Sequence, residues 1–504
     1  RRIVVKARPI TSRMGLAFGT DRTRAIRAGS HVVFVGPDCH LAADFSARIV
    51  PMIHASGCDF VYGDSVHIAH HGGESVHQLR PGWSPERLLS HCYVGDVVAA
   101  SRATVRRAGG SRRLRRMGAH ARALALAGAA SGHAHIDAVV YTCWLSFAVP
   151  PTDVDAVDEF CRSTGIAAEV GEFRGHAVVR REVPGPRRVA VIMPTRGSSA
   201  VVDGAERVLG AQALRSLRDH GGWPDLEVVI VADTGTPESA LREMVAAGGE
   251  RTTVVRFDEP FNFARKINIG AAQAPGADCL LLLNDDTEVL TPGVLAGLLG
   301  HLEDPNVASV SPLLLFEDGT VQSAGHVLNP APFDLYRGYR FESGAGWGML
   351  GATREVSSLI AAFLLVRRDD FLAVGGLCED FAGDYNDVDF ALKLHAAGKR
   401  SVIVPYLQCR HFESKTRVPG LDAQSIEALG RRWEHVLGQD PYGHRFLQPY
   451  EFVWKSNEET DLSLDVAVGA TVRWNRGEWD HLQTLDDKHL HRTRYLPRWI
   501  EERS

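Results

Sequence analysis

The residues of this sequence best suited to chemistry are carboxylates placed directly behind apolar runs. Asn284-Asp285-Asp286 follows Cys279-Leu280-Leu281-Leu282-Leu283. Packing gives no reason for two acids at the end of a buried strand, because an unpaired buried charge is costly. A divalent cation would neutralise them, and oxygen ligands of this kind suit magnesium or manganese holding a diphosphate. A polar turn after a core strand is the plain alternative. The second cluster is Gly383-Asp384-Tyr385-Asn386-Asp387-Val388-Asp389-Phe390, ahead of a helical pattern closed by Gly398. Asp387 and Asp389 fall in that helix's first turn, where the dipole favours carboxylates for structural reasons alone. In the functional reading Asp387 is a general base that takes a proton from a hydroxyl. Downstream, Cys409-Arg410-His411-Phe412-Glu413-Ser414-Lys415-Thr416-Arg417 offers an imidazole able to complete a metal shell and, in Arg417, a guanidinium suited to a diphosphate.

These side chains need strand ends to hold them. Val189-Ala190-Val191-Ile192-Met193 runs into Pro194-Thr195-Arg196-Gly197, and Leu226 to Val231 runs into Ala232-Asp233-Thr234-Gly235. In open α/β sheets the crevice beyond the carboxyl ends of strands takes ligands. Asp233 there suits the base or ribose of a nucleotide, although single Asp-x-Gly turns are common. Pro260-Phe261-Asn262-Phe263 feeds a helix carrying Arg265, Lys266 and Asn268 in its first turns, where cations and amides can meet phosphate. For Arg265 an exposed basic face is the preferred reading. Glu317-Asp318-Gly319-Thr320 reads as a hairpin turn. The stretch from Asn329 to Gly351 lacks periodicity, and loops of that length are functional or mobile. Its Tyr336, Tyr339, Phe341 and Trp347 suit stacking on sugar faces, with core packing as the default.

At 504 residues the chain should hold two or three domains. Its 45% hydrophobic and 23% charged content is ordinary for a globular protein, and a net charge of −5 gives no reason to expect nucleic acid as a partner. Arg102, Arg106, Arg107, Arg112, Arg113, Arg115 and Arg116 cluster, most simply as a solvated helix face. The eight cysteines lack any Cys-x-x-Cys pair and read as small core fillers, with neither a zinc site nor a disulfide framework indicated. Nothing resembles a signal peptide and no apolar run reaches membrane-spanning length. The simplest expectation is a reduced, cytoplasmic compartment, compatible with peripheral docking at the inner face of the cytoplasmic membrane. The oligomeric state is not legible.

The expected organisation is a first unit over 1–150, a linker over 151–188, a main domain over 189–450 and an appendage over 451–504. The first unit opens with Ile3-Val4-Val5 and an Arg-rich helical pattern to Gly29, then strand His31-Val32-Val33-Phe34-Val35. That strand ends in Gly36-Pro37-Asp38, a single carboxylate. Another, Cys58 to Tyr62, ends in Gly63-Asp64, and strands alternating with helices imply a parallel α/β layer. His40, His70, His71 and His77 match no ligand spacing. The linker holds a helical pattern from Val154 to Gly165 and a turn-rich Pro184-Gly185-Pro186. The tail carries Trp454, Trp474, Trp479 and Trp499, without a functional account.

From Val189 to Tyr442 the chain resembles the family 2 glycosyltransferases of GT-A fold, a Rossmann-like α/β nucleotide-sugar-binding architecture. It is most similar to bacterial rhamnosyl- and galactofuranosyltransferases of surface polysaccharides. The resemblance rests on Pro194-Thr195, Val231-Ala232-Asp233-Thr234-Gly235, Phe261-Asn262-Phe263, Leu283-Asn284-Asp285-Asp286-Thr287-Glu288-Val289, Gly319 to Gly325, Gly375-Gly376, Asp387-Val388-Asp389 and His411-Phe412-Glu413-Ser414, all in the family's order. It implies Asp286 and His411 as ligands of Mg2+ or Mn2+, and Asp387 as the base. Thr195, Asp233, Asn268, Asp285 and Arg417 would surround the nucleoside-diphosphate sugar, with a glycan or lipid-linked glycan as acceptor. Asn284, Ser323 and Ala232-Asp233-Thr234 depart from common family residues without removing the metal carboxylate or the base. Val61-Tyr62-Gly63-Asp64, Trp83-Ser84-Pro85 and Tyr141 to Trp144 resemble the amino-terminal half of tandem members. That half would be a degenerate, incomplete GT-A-like domain that lacks its first strand and is catalytically silent. A sugar nucleotidyltransferase is the rival enzyme, though Thr195-Arg196-Gly197 makes a poor phosphate loop. A silent carbohydrate-binding or assembly subunit is the non-enzymatic rival.

Overall fold

The structure, a computed structural model, describes residues 23–28, 30–42, 45–68, 75–144, 152–202, 204–328, 332–340, 349–412, 423–438, 440–444, 448–450 and 453–455. Among them no helix is long and apolar enough to cross a membrane.

A ten-stranded mixed sheet carries the strand ends singled out above. Its spatial order is Thr252–Phe257, Leu226–Asp233, Val189–Thr195, Cys279–Leu283, Phe363–Arg367, Val307–Leu315, Arg400–His411 and Thr287–Val289, with Val321–Ser323 and Arg354–Val356 attached alongside. The first four are mutually parallel, and Phe363–Arg367 runs against its neighbours. Near-continuous apolar runs form these strands because helices cover both faces. Val189, Val191 and Met193 join Leu281 and Leu283 in one core, under helices Leu209–His220, Glu238–Gly248 and Val294–His301. Ala190, Ile192, Leu280 and Leu282 face the other, under Phe263–Ala272 and Asn386–Ala396. Alternate residues of each strand therefore serve opposite layers.

A seven-stranded sheet precedes it, in the order Arg24–Ala28, His31–Val35, Val97–Ser101, Phe60–Ile68, His133–Trp144 and Cys39–Leu41, with Ser75–Gln78 attached to Phe60–Ile68. From His31–Val35 onward this repeats the second sheet from Cys279–Leu283 onward in spatial order, chain order and strand direction. Even the register shift recurs, after Gly63 in one and after Pro312 in the other. The difference lies at the open side. Val189–Thr195 borders Cys279–Leu283 in parallel, whereas Arg24–Ala28 borders His31–Val35 as an antiparallel hairpin.

Three expectations need correction or detail. The helical pattern up to Gly29 gives way to strand Arg24–Ala28, because pairing with His31–Val35 outweighs the weak propensity of five residues; residues 1–22 lie outside those described. Not all cysteines are core fillers: Cys39 and Cys143, 104 residues apart, form a disulfide. They are brought together by an antiparallel ladder that sequence spacing does not reveal. The 151–188 stretch is folded, with helix Val154–Thr164 and hairpin Ala168–Phe173 with His176–Arg181. Val157, Cys161 and Val179 enter the first unit's core and Val178 enters the second's. The arginine cluster from Arg102 to Arg116 is exposed throughout, as a solvated face should be.

The two units meet across buried charges. Arg181 donates to Glu86 at 2.6 Å, and Glu355 accepts from Ser84 while pairing with Arg400. All of these side chains are mostly or fully buried.

Candidate active site

Parallel pairing brings the ends of Val189–Thr195, Leu226–Asp233 and Cys279–Leu283 to one edge. Thr195 Oγ1 donates to Asp285 Oδ2 at 2.6 Å and accepts from the Gly197 N–H at 2.9 Å. That tight turn needs glycine: Gly197 has φ +73°, and a Cβ there would lie 2.8 Å from Thr236 Cγ2. Burial, and then the neighbouring Asp286, push the Asp285 carboxyl up to about 7, against the pull of the Thr195 hydrogen bond.

Asp286 and His411 are set by backbone. Thr287 stands opposite His411 in the ladder, and the Phe412 N–H donates to the Asp286 carbonyl at 2.9 Å. The Asn284-to-Thr287 turn is closed by Thr287 Oγ1 donating to the Asn284 carbonyl at 3.0 Å. Asp286 Oδ1 and His411 Nε2 then face each other at 3.1 Å, both buried. Asn284 Nδ2 lies 3.3 Å from the same His411 nitrogen. These donors fit a divalent cation, because adjacent ligands of an octahedral ion at about 2.1 Å lie about 3 Å apart.

Asp233 is one-third exposed, and its Oδ1 meets the buried Lys266 Nζ. Lys266 also lies over the rings of Phe257 and Phe261, at 5.2 and 5.5 Å. Helical spacing turns its neighbours elsewhere. Arg265 pairs with Glu259 and Glu379 at the surface, the structural role preferred from sequence. Asn268 donates to the Leu377 carbonyl and Glu379, and accepts from the Leu377 N–H, so its amide is taken up in holding those residues.

Asp387 begins helix Asn386–Ala396, behind Tyr385 at φ 62°, a strained backbone for a bulky residue. Its Oδ2 accepts from the Ala361 N–H at 3.2 Å and its Oδ1 from the Val388 N–H at 2.8 Å. The next residue, Ala362, accepts from the Asn284 N–H, so one side-chain and one backbone hydrogen bond link Asp387 to the metal-side turn. Burial raises the Asp387 carboxyl above its ordinary range, opposed by the nearby His326 and by both N–H groups. His326 and Asp334 were missed from sequence. They pair at 3.3 Å and flank Asp387; the only signal was His326 immediately after the Gly319-to-Gly325 motif. Asp389 is structural: fully buried, it accepts from Trp433 Nε1 at 2.9 Å and pairs with Arg432. Tyr336 is core, 1% exposed. Arg417, Phe341 and Trp347 lie outside the described residues.

Residues 191–358 match the family described as glycosyl transferase family 2. The O-antigen biosynthesis protein RfbC of Myxococcus xanthus is 28% identical over 451 residues, covering 84% of this chain and 34% of that protein. The uncharacterized protein y4gI of Sinorhizobium fredii is 30% identical over 287 residues, covering 53% and 30%. The chain thus spans about a third of the length of these curated relatives. Among solved structures, GalNAc-T7 with UDP, GalNAc and Mn2+ aligns at 14% identity and TM-score 0.36, over 53% of this chain and 52% of that one. The mannosyltransferase PcManGT of Pyrobaculum calidifontis with GDP-Man and Mn2+ aligns at 20% identity and TM-score 0.34, over 50% and 62%. Thr195, Asp233, Asp285 and Asp286 all fall inside the segment that matches the glycosyl transferase family 2 model, whereas Asp387 and His411 lie beyond it.

Proposed function

We propose that the chain moves a sugar from a nucleoside-diphosphate sugar to a hydroxyl of a glycan or lipid-linked glycan, with inversion, in surface polysaccharide synthesis. The observation that carries this reading is the gathering of Asp285, Asp286 and His411 at one sheet edge, joined through Asn284 and Ala361-Ala362 to Asp387. Asp286 and His411 would hold Mg2+ or Mn2+, which neutralises charge on the departing diphosphate when bound. Thr195 fixes Asp285 beside that pair. Asp233 faces the nucleotide, and Lys266 pairs with it. Arg417 is retained as the diphosphate guanidinium on the family resemblance alone, and Asn268 as a support of the nucleotide-side helix.

Asp387 accepts the proton of the acceptor hydroxyl while that oxygen bonds the anomeric carbon. The bond from carbon to the diphosphate oxygen breaks on the opposite face, and the nucleoside diphosphate leaves with the electron pair. A carboxylate is a weak base for an alcohol, but its raised pKa and fixed position help a late proton transfer. The O-antigen assignment of the Myxococcus relative supports the polysaccharide context, and a lipid-linked acceptor would place the protein at the inner face of the cytoplasmic membrane. The first unit reads as a silent GT-A-like repeat, with Asp38 as its one acid on the corresponding turn and a role in packing or acceptor binding. Incubation with a panel of nucleotide sugars and Mn2+ tests the proposal. Metal-dependent release of nucleoside diphosphate from one donor is expected; inertness toward the whole panel would favour the silent assembly subunit.

A further inference from the structure

A second constellation joins Asp64 and His135 of the first unit to His444 of the 440–444 segment. Asp64 follows the register shift in Phe60–Ile68 and is fully buried. His135 Nε2 lies 2.9 Å from its Oδ1, and His444 Nε2 lies 2.9 Å from its Oδ2. Ligand atoms of all three residues fall within 4.8 Å of one another. Asp137 Oδ1 lies 3.0 Å from the other nitrogen of His135 and 3.7 Å from His444 Nε2. The Arg80 N–H donates to Asp64 Oδ1 at 2.8 Å, fixing the carboxylate from behind.

We propose that Asp64, His135 and His444 bind a zinc ion. Two imidazoles and a carboxylate are a donor set that zinc favours. The imidazole rings stand 5.6 Å apart between centres and 64° apart in plane; two histidines on one tetrahedral ion place their ring centres about 5–5.5 Å apart. Asp137 supplies the outer carboxylate that orients a ligating histidine through Nδ1 and leaves Nε2 for the metal. With one Asp64 oxygen as the ligand, its 2.9 Å contact to the histidine beside it would widen by about 0.4 Å to a tetrahedral edge. Asp137, beside both histidines, is 42% exposed.

The ion would pin a strap across both units. Asp440 Oδ2 accepts from the Leu328 N–H at 2.6 Å and from Ser357 Oγ at 2.8 Å, tying that end to the second unit. Between Asp440 and His444, Pro441 crosses Gly82, where a Cβ would lie 2.2 Å from the Pro441 carbonyl oxygen. Ser357 adjoins Ser358, which donates to the Asp387 carbonyl at 3.4 Å and approaches His326. The role is structural: it fixes the wall behind Asp387.

The test is metal analysis of the full chain after exposure to zinc and dialysis without chelator. About one zinc per chain is expected, retained in Asp286→Asn and lost in His135→Gln and in His444→Gln. Chelation should lower the melting temperature of the unaltered protein and leave that of His444→Gln unchanged. If either variant fails to fold, X-ray absorption at the zinc edge of the unaltered protein decides, with two imidazoles and oxygen expected around the ion. Failure to retain zinc, full retention in His444→Gln, or a metal shell without imidazole would overturn the site.

Discussion

Cys143 stands in the first sheet where His411 stands in the second. Each faces the residue that opens a short edge strand, Cys39 in one case and Thr287 in the other. The turn before Thr287 is Asn284-Asp285-Asp286, and the turn before Cys39 is Gly36-Pro37-Asp38. One version of the arrangement presents imidazole and carboxylate; the other closes with a disulfide. This contrast supports assigning the chemistry to the second sheet.

Replacing both Cys39 and Cys143 by serine should therefore cost stability and leave transfer untouched. A loop of this length predicts a loss of up to about 4.7 kcal/mol under oxidising conditions. Urea unfolding with and without reductant measures it: reductant should weaken the unaltered protein and not the variant. A matching fall in transferase rate would place the first unit in catalysis.

Asp387→Asn keeps the shape of the side chain and removes its capacity to take a proton. Turnover should fall about 10²–10⁴-fold, with the KM for donor within a few-fold of its original value. Steady-state kinetics against donor concentration separates the two. Loss of donor binding in step with turnover would make Asp387 a structural residue.

His326 gives a signature in stability against pH. Burial opposes its charge, but Asp334, and more weakly Asp387, outweigh burial and the repulsion of Arg337, raising it from 6.5 to about 9. A raised histidine stabilises fully below pH 6.5, and that contribution is lost as pH rises through about 9. The unaltered protein should lose stability across that window, and His326→Gln should show a flatter profile. Equal slopes in a urea-denaturation series would contradict the pairing.

Arg181→Met would leave Glu86 buried with only the weaker support of His301. Removing one partner of a buried pair costs about 3–5 kcal/mol. Because the pair lies between the units, differential scanning calorimetry should show a lower melting temperature. A change below about 1 kcal/mol would mean that the pair is solvated in solution.

Much of this was legible in the sequence because parallel strands buried on both faces leave continuous apolar runs. Cys279 to Leu283 followed by two acids could be read as a strand running into a ligand edge without any structure. The first-turn position of Asp387 followed from Gly398 and helical spacing. What could not be read depends on contacts between distant residues. Asp389, two positions from Asp387, becomes structural only because Trp433 and Arg432 reach it. Asn268 looked available for phosphate until Leu377 was seen to take up its amide. The Cys39–Cys143 bond and the meeting of Asp64 with His444, 380 residues away, come from sheet pairing and a returning strap. No local spacing encodes either.

The most direct test of the central claim is thermal unfolding of the full chain with nucleoside diphosphates, in the presence and absence of Mn2+. A ligand that binds only the folded state must raise its stability, by about 2.7 kcal/mol at a hundred times Kd. The account predicts a Mn2+-dependent rise for one nucleotide, abolished in Asp286→Asn and preserved in Asp387→Asn. No rise with any nucleotide, or a Mn2+-dependent rise that survives Asp286→Asn, would contradict it.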